Sequence, residues 1–310
     1  MVRVSRLCAA VLFLGAIAGP AAVQEGPASG PVLETDDVDL FYRIYDANAG
    51  RPDAEQLQRD YLDAGSDGLR TLARVRNVTG TRIAEAIATR PDIYVEARRC
   101  AEVLPQVRTR VDAALQIFRR LYPEARFPPV TIAVGRGRPV AVGSPTTGVQ
   151  VGLEALCATH FMNPDIEDRF VGVLVHEFVH TQQAPELADK EDFTVLEVSL
   201  IEGAAEFVTE LVSGAPAYAY FTDMVAGREL EIETRFAAEH QAADLSAWVY
   251  NSTADAPGDL GYWVGYRIAK AYYQQADDKA AALRDILGLT DAEAFLAASG
   301  WKPGMVFDAG

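Results

Sequence analysis

Residues 171–183 read VGVLVHEFVHTQQ. His176 and His180 are four apart, so on a helix they stand one turn apart and project the same way, with Glu177 beside the first. Two imidazoles at this spacing can hold one zinc ion, and the adjacent carboxylate can reach a water on that ion as general base. Val171, Leu174, Val175, Phe178 and Val179 make the other sides of the helix apolar. A helix buried over most of its surface should not carry two histidines and a glutamate unless something satisfies them, because unpaired buried polar groups are costly.

Moving outward, Asn163 is a good N-cap, Pro164 suits the first helical position, and Asp165, Glu167 and Asp168 complement the positive end of the dipole. The pattern predicts a helix from Pro164 to about Gln183, stopped by Pro185. After a polar loop over residues 184–192, a second helix is predicted from about Thr194 to Val212, ended by Gly214. Its centre, residues 199–211, reads SLIEGAAEFVTEL and places Glu202 and Glu206 one turn apart on one face. Glu202 is the expected third zinc ligand, with Gly203 allowing the two metal helices to approach. Glu206 would accept the ring N–H of a zinc-bound histidine and fix its tautomer. Glu197, on another side of the helix, is the fallback ligand.

HExxH followed about twenty residues later by E-G-x-x-E resembles the gluzincins, the thermolysin-like and aminopeptidase-like zinc peptidases. The resemblance assigns the third ligand to Glu202 and the orienting acid to Glu206. The chain is also similar to uncharacterised bacterial families of predicted zinc-dependent proteases, through the GS-G-L pattern of Gly65 to Leu69 and the GYWVGYRI segment. In gluzincins an edge strand near the metal pairs with substrate, and by analogy residues 149–153 would take that place. Amide hydrolysis also needs a donor for the developing oxyanion. Tyr262, Tyr266, Arg267 and His240 are the candidates, Tyr266 being preferred, and His160 is read as a loop residue.

Residues 129–134, PVTIAV, and 149–153, VQVGL, are expected strands, separated by an exposed, mobile loop over 135–148. Helical spacing marks residues 53–69 and 94–121, the latter kinked or divided at Pro105. Residues 263–275, 280–287 and 291–301 read as further helices. The expected fold is a mostly helical α+β domain, thermolysin-like at its core, with a small sheet beside the two metal helices.

At the start of the chain, Arg3 and Arg6 precede an apolar run and small residues, the pattern of a signal peptide over 1–22. The run is too short to span a bilayer, which takes about 20 apolar residues. One domain over 23–310, secreted or periplasmic and without stable membrane insertion, is expected. Cys100 and Cys157 would pair there or remain buried thiols; the sequence leaves both open. A formal charge of −16 excludes a nucleic-acid partner, which needs basic patches. The resulting expectation is a zinc-dependent peptidase acting on peptide or protein substrates, with Glu177 as general base. The rival readings are an envelope binding module that keeps the zinc site without turnover, and a zinc hydrolase of a non-peptide substrate.

Overall fold

A computed structural model describes residues 33–188, 190–253, 255–256 and 258–307. The expected signal peptide, residues 1–22, lies outside them. β1 (Leu33–Glu34), β2 (Val130–Ala133), β3 (Ala141–Ser144) and β4 (Gly148–Gly152) form one sheet in the order β1-β2-β4-β3. β1 pairs with β2 and β2 with β4 in parallel, while β3 returns antiparallel onto β4, Val142 facing Gln150. β2 and β4 are the two expected strands, and Val130, Ile132, Val149 and Val151 are buried as their β-branched composition suggests.

The segment 135–148 is not the continuous loop expected. Its second half is β3, the edge of the sheet, and a Cβ at Gly143 would lie 2.0 Å from the carbonyl oxygen of Glu177. Gly143 therefore lets the strand lie directly on the helix that carries His176 and Glu177. The edge position assigned by analogy to residues 149–153 belongs to β3, because β4 is paired on both sides.

Before β2 come α1 (Asp36–Ala47), α2 (Ala54–Gln56), which runs on as a π-helical turn at Leu57–Leu62, α3 (Asp67–Val75), α4 (Gly80–Thr89), α5 (Pro91–Cys100) and α6 (Leu104–Leu121). The helix expected over 53–69 breaks because the Asp37 carboxylate takes both the N–H and the hydroxyl of Ser66, at 2.9 and 2.6 Å, and Ser66 caps α3. The stretch 94–121 divides at a 3₁₀ turn, Ala101–Val103, with Pro105 in the first turn of α6, where its missing N–H does no harm.

After β4 the chain forms α7 (Leu153–Ala158), α8 (Ile166–His180), α9 (Pro185–Ala188), α10 (Val195–Ser213), α11 (Phe221–Val225), α12 (Glu229–Glu239), α13 (Leu260–Gln275), α14 (Lys279–Leu287) and α15 (Ala292–Ala298). Cys157 of α7 is joined to Cys100 of α5 by a disulfide. α8, which carries His176 and His180, starts later than expected: Asp165, not Asn163, is its N-cap, the carboxylate accepting the N–H of Asp168 at 2.9 Å. α10 has a complete capping box between Thr194 and Glu197, and ends on Gly214 at φ 92°.

The fold is mostly helical α+β, with β3 lying against α8. α10 packs between α8 and α13. Gly203 does not mediate the α8–α10 approach, as expected from sequence, but the α10–α13 one: a Cβ there would lie 2.1 Å from backbone atoms of Gly265 and Tyr266. Among the described residues no helix is long and apolar enough to cross a membrane.

Candidate metal centre

α8 presents His176 and His180 to the face of α10 that carries Glu202 and Glu206, and all four side chains are buried. Three ligand atoms converge. His176 Nε2 and His180 Nε2 are 3.0 Å apart, and Glu202 Oε2 stands 3.2 Å from the first and 3.3 Å from the second. Bonds of about 2.0–2.2 Å to a tetrahedral zinc put its ligands roughly 3.3–3.5 Å apart. The observed triangle is within a few tenths of an ångström of that, so these residues fit the ion.

The opposite ring atoms confirm which nitrogen faces the centre. His180 Nδ1 lies 2.8 Å from Gln183 Oε1, and the Gln183 amide nitrogen donates to the Ile201 carbonyl at 2.7 Å, which leaves the oxygen to accept from the ring. His176 Nδ1 lies 2.6 Å from Glu206 Oε1. That ring N–H is not aimed straight at the oxygen, yet among the described residues neither atom has another partner. A carboxylate at this distance holds the proton on Nδ1 and frees Nε2 as a lone pair. The second Glu206 oxygen accepts the N–H of Tyr218 at 3.2 Å.

With two lone pairs and a carboxylate facing each other in a buried space, the electrostatics call for a cation. Burial opposes charge on His176, but Glu202 and Glu206 outweigh it and hold its pKa up to about 10. Burial is likewise overcome at His180, which Glu202 raises. The imidazoles hold the Glu202 carboxyl well below its usual range in spite of burial. The raised imidazole pKa values show a site that favours positive charge, and a metal ion held there would displace the ring protons.

A cavity of about 680 Å³ opens beside the triangle. Glu177 faces it, its pKa pushed up by burial and by Glu202, against the opposing pull of the two imidazoles and the Gly143 N–H. β3 forms one wall, and Tyr218, Tyr250 and Tyr262 line the other side. Tyr250 donates from its hydroxyl to Glu202 Oε1 at 3.2 Å, although 66% of its surface is exposed. Its backbone is left-handed, φ 57°. Beyond it, reciprocal bonds tie Asn251 to Asp259, from the Asn251 N–H at 2.8 Å and from the Asp259 N–H at 2.7 Å.

Of the residues expected from sequence, His176, His180, Glu202, Glu177 and Glu206 come together here. Tyr266 does not reach the cavity: its hydroxyl donates to Glu210 at 2.8 Å and accepts from Lys270 at 2.7 Å. Arg267 is bound to Glu233 and the Met305 carbonyl, and His240 lies beside Glu293. Glu197, the fallback ligand, is consumed by the cap of α10 and by Lys190 at 2.6 Å. His160 is an exposed loop residue. Glu96, Cys100 and Cys157 also cluster, but the thiols are spent in the disulfide. Sequence reasoning missed Gln183, whose signal was its place three residues after His180, and Tyr250, which carried none.

The model of a protein family described as predicted Zn-dependent protease (DUF2268) matches residues 153–295, from the start of α7 into α15. The chain is therefore similar to a family of predicted zinc proteases over the part that holds α8 and α10. Comparison with curated proteins and with solved structures found no match.

Proposed function

We propose that the protein is an exported zinc metallopeptidase of gluzincin type, with zinc on His176, His180 and Glu202. The observation that carries this is the triangle of ligand atoms, with sides of 3.0–3.3 Å, beside a cavity that Glu177 faces. Zinc bound there supplies Lewis acidity and a bound water of pKa near 7. A purely structural zinc site would have a fourth protein ligand and no adjacent base.

Glu177 takes a proton from the attacking water and passes it to the leaving amine; its raised pKa suits a group that must both accept and release a proton. Glu206 and Gln183 keep the two rings in the binding tautomer. Tyr250, whose hydroxyl lies 3.2 Å from the ligand carboxylate of Glu202, is our choice of donor to the developing oxyanion, in the role expected of Tyr266. The unpaired edge of β3 along the cavity suits an extended peptide added as a further strand. The disulfide supports export, since such bonds persist in oxidising compartments.

The test is cleavage of a diverse peptide library by zinc-loaded protein lacking residues 1–22, with Glu177→Gln in parallel and zinc content measured on both. The wild type should cleave, and Glu177→Gln should hold equal zinc while losing about 10²–10⁴-fold in turnover. If both bind zinc and neither cleaves any peptide, the peptidase reading is wrong.

A further inference from the structure

We propose that four arginines at one end of the metal cleft form a binding site for acidic segments of the substrate. The inference rests on the peptidase reading and names the substrate class of the same cleft. Arg82 of α4, Arg90 between α4 and α5, and Arg136 and Arg138 between β2 and β3 line one open cavity of about 570 Å³. They meet in a chain whose formal charge is −16. Among the described residues none of the four stands in an ion pair, whereas Arg98, Arg110, Arg228 and Arg267 each face a carboxylate. Glu85 is on the cavity's lining but within ion-pair distance of none of them.

The cluster is built rather than incidental. Arg90 donates to the Arg136 carbonyl at 2.7 Å, Arg136 to the Arg76 carbonyl at 3.1 Å, and Arg82 to the Asn77 carbonyl at 2.9 Å. These bonds orient guanidinium groups without neutralising them. The buried Glu154 carboxylate pins the segment that carries Arg136, accepting the N–H of Gly135 at 2.8 Å and of Gly137 at 2.7 Å. Gly137 has φ 79°, and the Arg90 guanidinium occupies the space where its Cβ would be. Arg136 Nε is buried without a partner. Burial and the neighbouring Arg138, Arg82 and Arg90 lower the Arg136 pKa, as like charges held together do, and the buried Glu154 offsets only part of this, through Arg90.

An anion would relieve them, and the position says which. Two residues after Arg138 the chain enters the cavity wall at Val140 and then β3, and Arg76, whose carbonyl holds Arg136, also lines the metal cavity. A peptide laid along the β3 edge would run from the metal onto the arginines. Several guanidinium forks spread over an open surface match several carboxylates on an extended chain.

The test uses zinc-loaded Glu177→Gln protein and fluorescently labelled peptides, one glutamate-rich and one with glutamine in place of each glutamate. The glutamate-rich peptide should bind more tightly, by a margin that shrinks with added salt. Arg138→Glu, at an exposed side chain with no hydrogen bond among the described residues, should weaken acidic-peptide binding by about tenfold or more, and Arg82→Glu likewise. Arg120→Glu, the same charge change on α6, should not. Equal binding of the two peptides, or equal weakening by Arg120→Glu and Arg138→Glu, overturns the proposal. Cleavage of neutral peptides by the wild type in parallel separates this failure from that of the peptidase reading.

Discussion

Glu206 Oε1 lies 2.6 Å from His176 Nδ1, on the side of the ring away from the centre where Nε2 meets His180 and Glu202. The carboxylate is buried and, among the described residues, pairs with no cationic side chain besides that ring, a placement suited to setting the imidazole's tautomer and basicity. Glu206→Gln keeps the shape but removes the charge. It should weaken zinc binding by about 10–100-fold and leave the fold intact, as measured by competition with a chelating dye. Unchanged affinity would mean that the ring is positioned by packing alone.

Gly203 stands next to Glu202 and against the backbone of α13, where any Cβ would come within 2.1 Å of Gly265 and Tyr266. Backbone cannot rotate away as a side chain can. Gly203→Ala should therefore push α10 from α13, lower stability by about 1–3 kcal/mol, and weaken zinc binding because Glu202 moves with its helix. Thermal unfolding and a zinc titration on one preparation test both parts. Loss of stability with zinc affinity unchanged would uncouple the helix contact from the metal centre.

These contacts show where sequence reading succeeds and stops. The histidines and glutamates were legible because four-residue spacing on a helix dictates a shared face, and the ends of α10 because Thr194, Glu197 and Gly214 are local signals. β3 was hidden because Ala141 to Ser144 is short and has one β-branched residue; it is a strand through its pairing with β4 and its seat on Glu177. Tyr266 was preferred to Tyr262, yet one helical turn separates them along α13. Tyr262 is level with the cavity, while Tyr266 has passed it and meets Glu210. Such a register is decided by the glycine contact between α10 and α13, which no spacing reveals.

The stability of the centre should depend on pH in opposite senses with and without metal. Without it, His176 has its pKa raised from 6.5 to about 10, so its contribution is full below 6.5 and lost as pH rises towards 10. Glu202, depressed below its usual 4.5, contributes above that value and loses its effect in acid. The metal-free centre is thus most stabilising between these two ordinary values. Zinc needs both imidazoles deprotonated, so its effect grows as the metal-free contribution fades. The Tm difference between zinc-loaded and chelator-treated protein, at buffered free zinc, should widen from about pH 6 to about pH 9. A difference that narrows over this range would remove His176 from the ligand set.

The disulfide between Cys100 and Cys157 links positions 57 residues apart and ties α5 to α7, away from the metal ligands. Closing a loop of that length stabilises by about 4 kcal/mol in the chain-entropy account. Cys100→Ala with Cys157→Ala should lower stability by about that amount while zinc affinity at ordinary temperature stays within about twofold. Denaturant unfolding and zinc titration give the two numbers. Zinc loss in the folded variant would mean that α7 helps to place α8.

Tyr250 donates to Glu202 from a left-handed backbone position, and the segment after it is tied by Asn251 and Asp259. Its hydroxyl can serve in two ways, holding the ligand carboxylate or donating to the oxyanion, and Tyr250→Phe separates them. As an oxyanion donor, the hydroxyl acts mainly in the transition state, so kcat at saturating zinc should fall by about 10²–10³-fold with KM little changed. As a holder of Glu202 alone, its loss would weaken zinc and leave the kcat of the fully loaded enzyme near wild type. We expect the first result, because Tyr250 and Glu202 both line the cavity and the largely exposed Tyr250 side chain is open to contact by a bound peptide.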